Sequence, residues 1–299
     1  MRESRLRMWT ILCFLATLAC MVKSPLSGRA DAAEGNKLLL YPREESCSWL
    51  LPTEEETKKN AFACFLPADS ADDAQAAEAS GEAEFAVSGE KHVLIYHTHT
   101  TEAYRMDGAD TYEESGFSRT RNTEQNIVRV GEALRERLEE KGFRVIHDTT
   151  DHEPPKLATA YSRSEQTMQY YREKYPDMDL YIDLHRDAAD VEKNKDDVAV
   201  IDGKRCARIM FVVGKGTKYD KKPDFDRNYA LAERLTAELS SYDARLVRKI
   251  RVKEGRYNQH LADMSLLIEV GHNANTLQDA LNSTAYLAEA IAKVIRVVD

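Results

Sequence analysis

Residues 93–104 read VLIYHTHTTEAY. Val93 to Tyr96 are apolar and mostly β-branched or aromatic, the composition of a short buried strand. His97 and His99 follow at once, with Glu102 three positions further on. Imidazole is the commonest metal-ligating side chain, and open α/β sheets keep their sites at the rim where strands end. A strand that ends in two imidazoles therefore predicts a sheet edge that carries chemistry.

Working outward, the pattern alternates strand and helix. Residues 122–141 predict a helix, capped by Asn122 or Thr123, striped by Ile127, Val130, Leu134 and Leu138, and stopped by Gly142. A strand over 143–146, a helix over 162–175 ending before Pro176, and a strand over 180–184 leading into His185 come next. Residues 198–201 and 207–213 predict a hairpin around Asp202-Gly203. A helix over 226–241, an apolar strand over 265–270 carrying Glu269, and a helix over 277–297 close the chain. Such alternation predicts an α/β domain with a largely parallel twisted sheet and flanking helices. About 210 residues, 91–299, suffice for one domain with a sizeable core.

Toward the N-terminus the character changes. The chain has 299 residues and a formal net charge of −9, unevenly spread: +4 over residues 1–30, −10 over 31–90 and −3 over 91–299. No basic patch argues for nucleic acid. Residues 1–23, MRESRLRMWTILCFLATLACMVK, put a largely apolar stretch between basic flanks, as in a signal sequence or membrane anchor. Either device places the remainder outside the cytoplasm: at the cell membrane if the segment stays, secreted if it is cleaved. Residues 24–90 include ADSADDAQAAEASGEAE at 68–84, too poor in apolar side chains to offset its ordering entropy, so this region is expected to be a disordered acidic linker. Of the five cysteines, Cys47 and Cys64 could pair outside the cell, and no CxxC suggests a thiolate zinc site.

Three predicted strands end in ionisable groups, His97/His99, His185 and Glu269, and Glu124 opens a helix. Imidazoles plus a carboxylate are the ligands of catalytic zinc, which leaves one position for water. A second carboxylate can then serve as general base. Structural readings stand beside these. Either first-motif histidine could be a hydrogen-bonded edge group, and Glu124 could simply complement a helix dipole. Glu269 lies in an apolar run, where a carboxylate must be paired or perturbed. His147, His152, His260 and His272 are expected at the surface or behind the ligands.

YHTHTTEAY, the NI-x-x-VG helix, IDLHRDA, the FVVG strand, YNQHLADMSLLIEVG and the NT…A…LA helix resemble the stage II sporulation protein P family, zinc-dependent N-acetylmuramoyl-L-alanine amidases of the wider amidase-3 type. The resemblance covers about residues 90–299. It implies an amidase-3-like fold, a zinc cofactor and a peptidoglycan hydrolase that thins septal wall during engulfment in sporulation. Stage II sporulation proteins D and M are the implied partners, and the septal space the implied location. Carried over residue by residue, it implies His99 as the first metal ligand, with His97 its rival, Glu124 and His185 as the others, and Glu269 as catalytic base. Arg186 is a candidate for binding a substrate carboxylate, or for a structural ion pair. His272 stands where the family has a small or apolar residue. The implied reaction cleaves the lactyl amide between N-acetylmuramic acid and L-alanine. Alternatives are a zinc peptidase cutting stem-peptide cross-links and a non-catalytic wall-binding scaffold.

Overall fold

The computed structural model describes residues 85–108, 111–216 and 225–298. The expected anchor or signal over 1–23, nearly all of the linker, and Cys47 and Cys64 lie outside the described residues. Among those described, no helix is long and apolar enough to cross a membrane.

The strands are β1 (Ala86–Ser88), β2 (Lys91–Tyr96), β3 (Phe143–His147), β4 (Leu180–Asp187), β5 (Val198–Ile201), β6 (Lys204–Ala207), β7 (Ile209–Gly214), β8 (Arg251–Lys253), β9 (Ser265–His272) and β10 (Arg296–Val298). The helices are α1 (Ile127–Glu139), α2 (Ala160–Lys174), the single turn α3 (Val191–Asn194), α4 (Phe225–Tyr242) and α5 (Leu277–Val294). Six strands form one sheet in the order β3-β2-β4-β9-β7-β8. The first four are parallel. β7 then turns antiparallel to β9, with β8 parallel to β7. The sheet is thus mixed, with a parallel majority, and helices cover both faces.

Side-chain parity assigns the faces, because successive strand residues point to opposite sides. Val93, Ile95, Leu180, Ile182, Leu184, Ile268 and Val270 join the main core with α1, α4 and α5. Leu94, Tyr96 and Tyr181 instead pack with Met168 of α2. Asp183 and His185 share parity with Tyr181, so they stand on the α2 face. β4 is buried almost throughout, as a central parallel strand should be.

Several expectations shift. The fold begins at Phe85, which is buried, and β1 pairs in parallel with β10, so residues 85–90 belong to the domain rather than the linker. The helix expected over 122–141 is broken. Thr123–Gln125 form one 3-10 turn, Asn126 is extended, and α1 starts at Ile127. Asn126 causes the break. Its side chain accepts from Val128 N at 2.9 Å and donates to Thr120 O at 2.9 Å, a local alternative to helix. The hairpin forms around Asp202 and Gly203, both at positive φ, but its second strand is β6, and β7 is a separate strand of the main sheet. β8, three residues on the sheet edge, gave no apolar run to detect.

Candidate active site

β2, β4 and β9 lie side by side with their C-terminal ends together, Tyr96 beside Asp183 and His185 beside Glu269. Asp183 is the buried anchor of this edge. Its Oδ1 accepts from Thr98 N at 2.8 Å and its Oδ2 from the Thr98 hydroxyl at 2.7 Å. Ser164 of α2 touches that hydroxyl at 2.7 Å and takes a hydrogen bond from Asn258 Nδ2. The chain leaving β2 is thereby pinned to β4 and α2.

His185 stands between two carboxylates. Its Nε2 lies 2.8 Å from Asp183 Oδ1 without a well-aligned hydrogen bond, and its Nδ1 lies 3.4 Å from Glu102 Oε2. Burial alone would lower its pKa, but the two carboxylates overcome this and hold it well above the usual range. Burial would likewise raise Glu102, yet His185 and Arg186 pull it well below the carboxylate range. His99 comes against His185 with ring centroids 5.5 Å apart, and Tyr161 of α2 lies against both rings. His99 Nδ1 is buried, has no hydrogen-bond partner, and stands 3.6 Å from Glu153 Oε1. Arg119 pairs with Glu153 and reaches within 3.6 Å of Glu102 Oε1. Glu269 Oε2 is also buried without a partner. Burial, then Asp187, raises its carboxyl to about 8.

His99, His185 and Glu269 therefore come together, as do Glu102, Glu153 and Asp183, which carried no sequence-level assignment. The signal for Glu102 was in the first motif itself, three residues past His99. The other expected site residues stand elsewhere. Glu124 is on the separate 3-10 turn, its side chain 76% exposed, 4.0 Å from Arg129. The break at Asn126 sets it there rather than at the sheet edge. His97 keeps the parity of Ile95 and enters the α1 face, opposite His185. Its Nδ1–H donates to Leu184 O at 2.9 Å. His99 escapes that parity because the strand has ended. Arg186 is 6% exposed, and its guanidinium donates to Ala103 O at 2.9 Å and Ser118 O at 2.8 Å, so it faces backbone rather than a substrate. His147, His152 and His272 are not surface groups. The His147 side chain is only 5% exposed, and the other two residues are buried. His272 faces Asp197 at 3.4 Å.

A zinc ion can be tested against these donors. Two ligands on one tetrahedral zinc lie ~3.3–3.4 Å apart, given bonds of about 2.0–2.1 Å. The His185–Glu102 separation matches that edge and is too long for a good hydrogen bond. His99 Nδ1 is an orphaned buried donor beside them. In kind and in this edge the donors fit zinc. As placed, no three His, Cys, Asp or Glu groups among the described residues converge closely enough to hold an ion.

Comparison with known proteins adds the lineage. Stage II sporulation protein P of Bacillus subtilis (strain 168) is 31% identical over 211 residues, 65% of this chain. The chain spans 49% of that relative's length. Among solved structures, the apo N-acetylmuramyl-L-alanine amidase Ami1 from Mycobacterium abscessus aligns with 69% of this chain and 97% of its own, at 13% identity and a TM-score of 0.40. An N-acetylmuramoyl-L-alanine amidase from Clostridium difficile 630 aligns with 69% and 95%, at 17% identity and 0.38. Likenesses this weak say nothing about activity. The family described as Stage II sporulation protein P (SpoIIP) matches residues 31–292, most of the sequence and the whole of the site, and the chain belongs to that family.

Proposed function

We propose that this chain is a peptidoglycan hydrolase of sporulation that cleaves the amide between N-acetylmuramic acid and L-alanine. The observation that carries this reading is the apposition of His99 and His185 beside Glu102, with the raised carboxyl of Glu269 one strand away. Family membership supplies the sporulation setting.

The residues that would hold zinc are His99, Glu102 and His185. The chemistry supplied by a zinc ion bound there is polarisation of the amide carbonyl and a lowered pKa for the attacking water. Glu269 takes the water's proton and returns it to the departing L-alanine nitrogen. A carboxyl raised toward neutrality is the better base for a reaction run near pH 7. Asp183 stands 2.8 Å from His185 Nε2, on the side of the ring away from Glu102, the place where carboxylates stand behind ligating histidines. Tyr161 lies against both imidazoles and shields them on the α2 side.

Stage II sporulation proteins D and M as partners, and tethering to the septal membrane through residues 1–23, belong to this proposal on family grounds. Metal analysis of the purified protein, with mass spectrometry of muropeptides after digestion of sacculi, tests it. Free stem peptides beginning at L-alanine, released by a zinc-loaded protein, are the expected result. Products cut within the stem or its cross-links would make it a peptidase. Intact sacculi, bound but not cut, would make it a scaffold.

A further inference from the structure

The first motif contains a histidine that the proposed reaction does not use. His97 is fully buried on the α1 face, and both its nitrogens are engaged. Nδ1 meets Leu184 O, the residue before His185, at 2.9 Å. Nε2 meets His147 Nε2, at the end of β3, at 2.9 Å. His147 Nδ1 in turn meets Glu132 Oε2 of α1 at 3.1 Å. The backbone carbonyl of His97 accepts from His152 Nδ1 at 2.7 Å. One side chain therefore ties together the C-terminal ends of β2, β3 and β4, two residues before His99 and one residue before His185.

The helix is shaped to this chain of rings. Gly131 of α1 lies flat on the two imidazoles. A Cβ there would come within 2.6 Å of His147 Nε2 and 2.7 Å of His97 Nε2, nearer than any neighbour tolerates. Helix interiors disfavour glycine by about 1 kcal/mol relative to alanine, so its presence has a packing reason. The hydrogen bonds also fix the protons. His97 Nδ1 must carry one to reach a carbonyl, so its Nε2 accepts when the ring is neutral. His147 Nε2 is then the donor. Its Nδ1 either donates to a Glu132 carboxylate or accepts from a protonated one.

We infer that His97, His147 and Glu132 are positioning residues: a His–His–Glu brace, seated on Gly131, sets where His99 and His185 stand relative to each other. The brace touches no reacting atom. Groups of this kind behind metal ligands are typically worth ~10–100-fold in metal affinity.

The test uses the full chain with 15N-labelled histidine, its ring resonances assigned by single His substitutions. Gly131→Ala forces the two Nε2 atoms apart while removing no polar group. Glu132→Ala leaves His147 Nδ1 unpaired, whereas Glu132→Gln offers either a donor or an acceptor to it. Gly131→Ala and Glu132→Ala are expected to shift the ring resonances of His99 and His185, which neither variant touches. Glu132→Gln is expected to restore the wild-type positions. In parallel, zinc affinity measured by chelator competition should fall ~10–100-fold in the first two variants and recover in the third. The zinc arm rests on the functional reading above, and the resonance arm does not. A wild-type protein that takes up no zinc defeats that reading and leaves the brace to the resonances. Unchanged His99 and His185 resonances in Glu132→Ala overturn the brace, whatever becomes of Gly131→Ala. A Glu132→Gln protein as perturbed as Glu132→Ala overturns it too, since a purely electrostatic effect would not be rescued by the neutral amide.

Discussion

His185 and Glu269 stand opposite each other as Cα partners on neighbouring parallel strands, both on the face covered by α2. Parallel pairing places groups from two distant parts of the chain at one edge without any loop to position them. The proposed base is therefore as rigid as the proposed ligand beside it, and the two can be tested separately.

Glu269→Gln keeps the size of the side chain and removes only its capacity to take a proton. Product release should fall by ~10²–10⁴. Zinc content should stay at the wild-type level, and the melting temperature should hold or rise slightly, because burial already holds this carboxyl near 8. Metal analysis, thermal melts and muropeptide mass spectrometry on one preparation check all three. Wild-type activity would remove Glu269 from the mechanism, and simple unfolding would assign it to the fold.

Glu102→Ala and Glu124→Ala separate the two candidate carboxylate ligands. Glu102 is buried against His185 and accepts from Arg186 N at 3.1 Å, so its loss should lower zinc occupancy severalfold or more and also reduce stability. Glu124 is exposed, and its loss should change stability by less than ~0.5 kcal/mol and leave occupancy unaltered. The reverse pattern would restore the ligand that the family resemblance implies.

Asp183→Asn strikes the anchor. The carboxylate accepts from Thr98 twice and stands 2.8 Å from His185 Nε2, so its replacement breaks a buried network built around a carboxylate. Such losses run to about 3–5 kcal/mol. For a domain of this size each kcal/mol lowers Tm by ~2–4 °C. Urea and thermal unfolding measure the change, and a loss below about 1 kcal/mol would mean that the network does not hold the strand ends.

Arg186→Ala distinguishes a structural arginine from a substrate-binding one. Removal frees two backbone carbonyls and strips Glu102 of a nearby cation, so stability should drop by ~3–5 kcal/mol. Among molecules that remain folded, KM for muropeptides should change by less than twofold. A stable variant with a raised KM would return Arg186 to the substrate.

Much of this was legible in the sequence. The α/β alternation, the strands ending in His97/His99 and His185, and Glu269 within its apolar run could all be read directly. So, in principle, could the parting of His97 from His185. His97 has the parity of Ile95, a main-core residue, while Asp183 and His185 have that of Tyr181 on the other face. The position of Glu124 on a separate, exposed turn was not legible, because Asn126 looks like any polar residue near a helix start. Only its two hydrogen bonds reveal that the helix begins after it. β1, β8 and β10 were hidden for another reason: strands of three residues, two of them beginning with Arg, have too few positions to show a period.

The pairing of β1 with β10 has a kinetic consequence. Ala86 lies against Arg296, about 210 positions away along the chain, so closing this contact carries one of the largest loop entropies in the domain. Contacts this non-local are rewarded only once the rest of the sheet exists. The clasp should form after the six-stranded sheet during folding and open ahead of it during unfolding. Amide exchange should then report Val87 and Val297 as a low-free-energy opening unit, distinct from the slowly exchanging strands β2, β4 and β9.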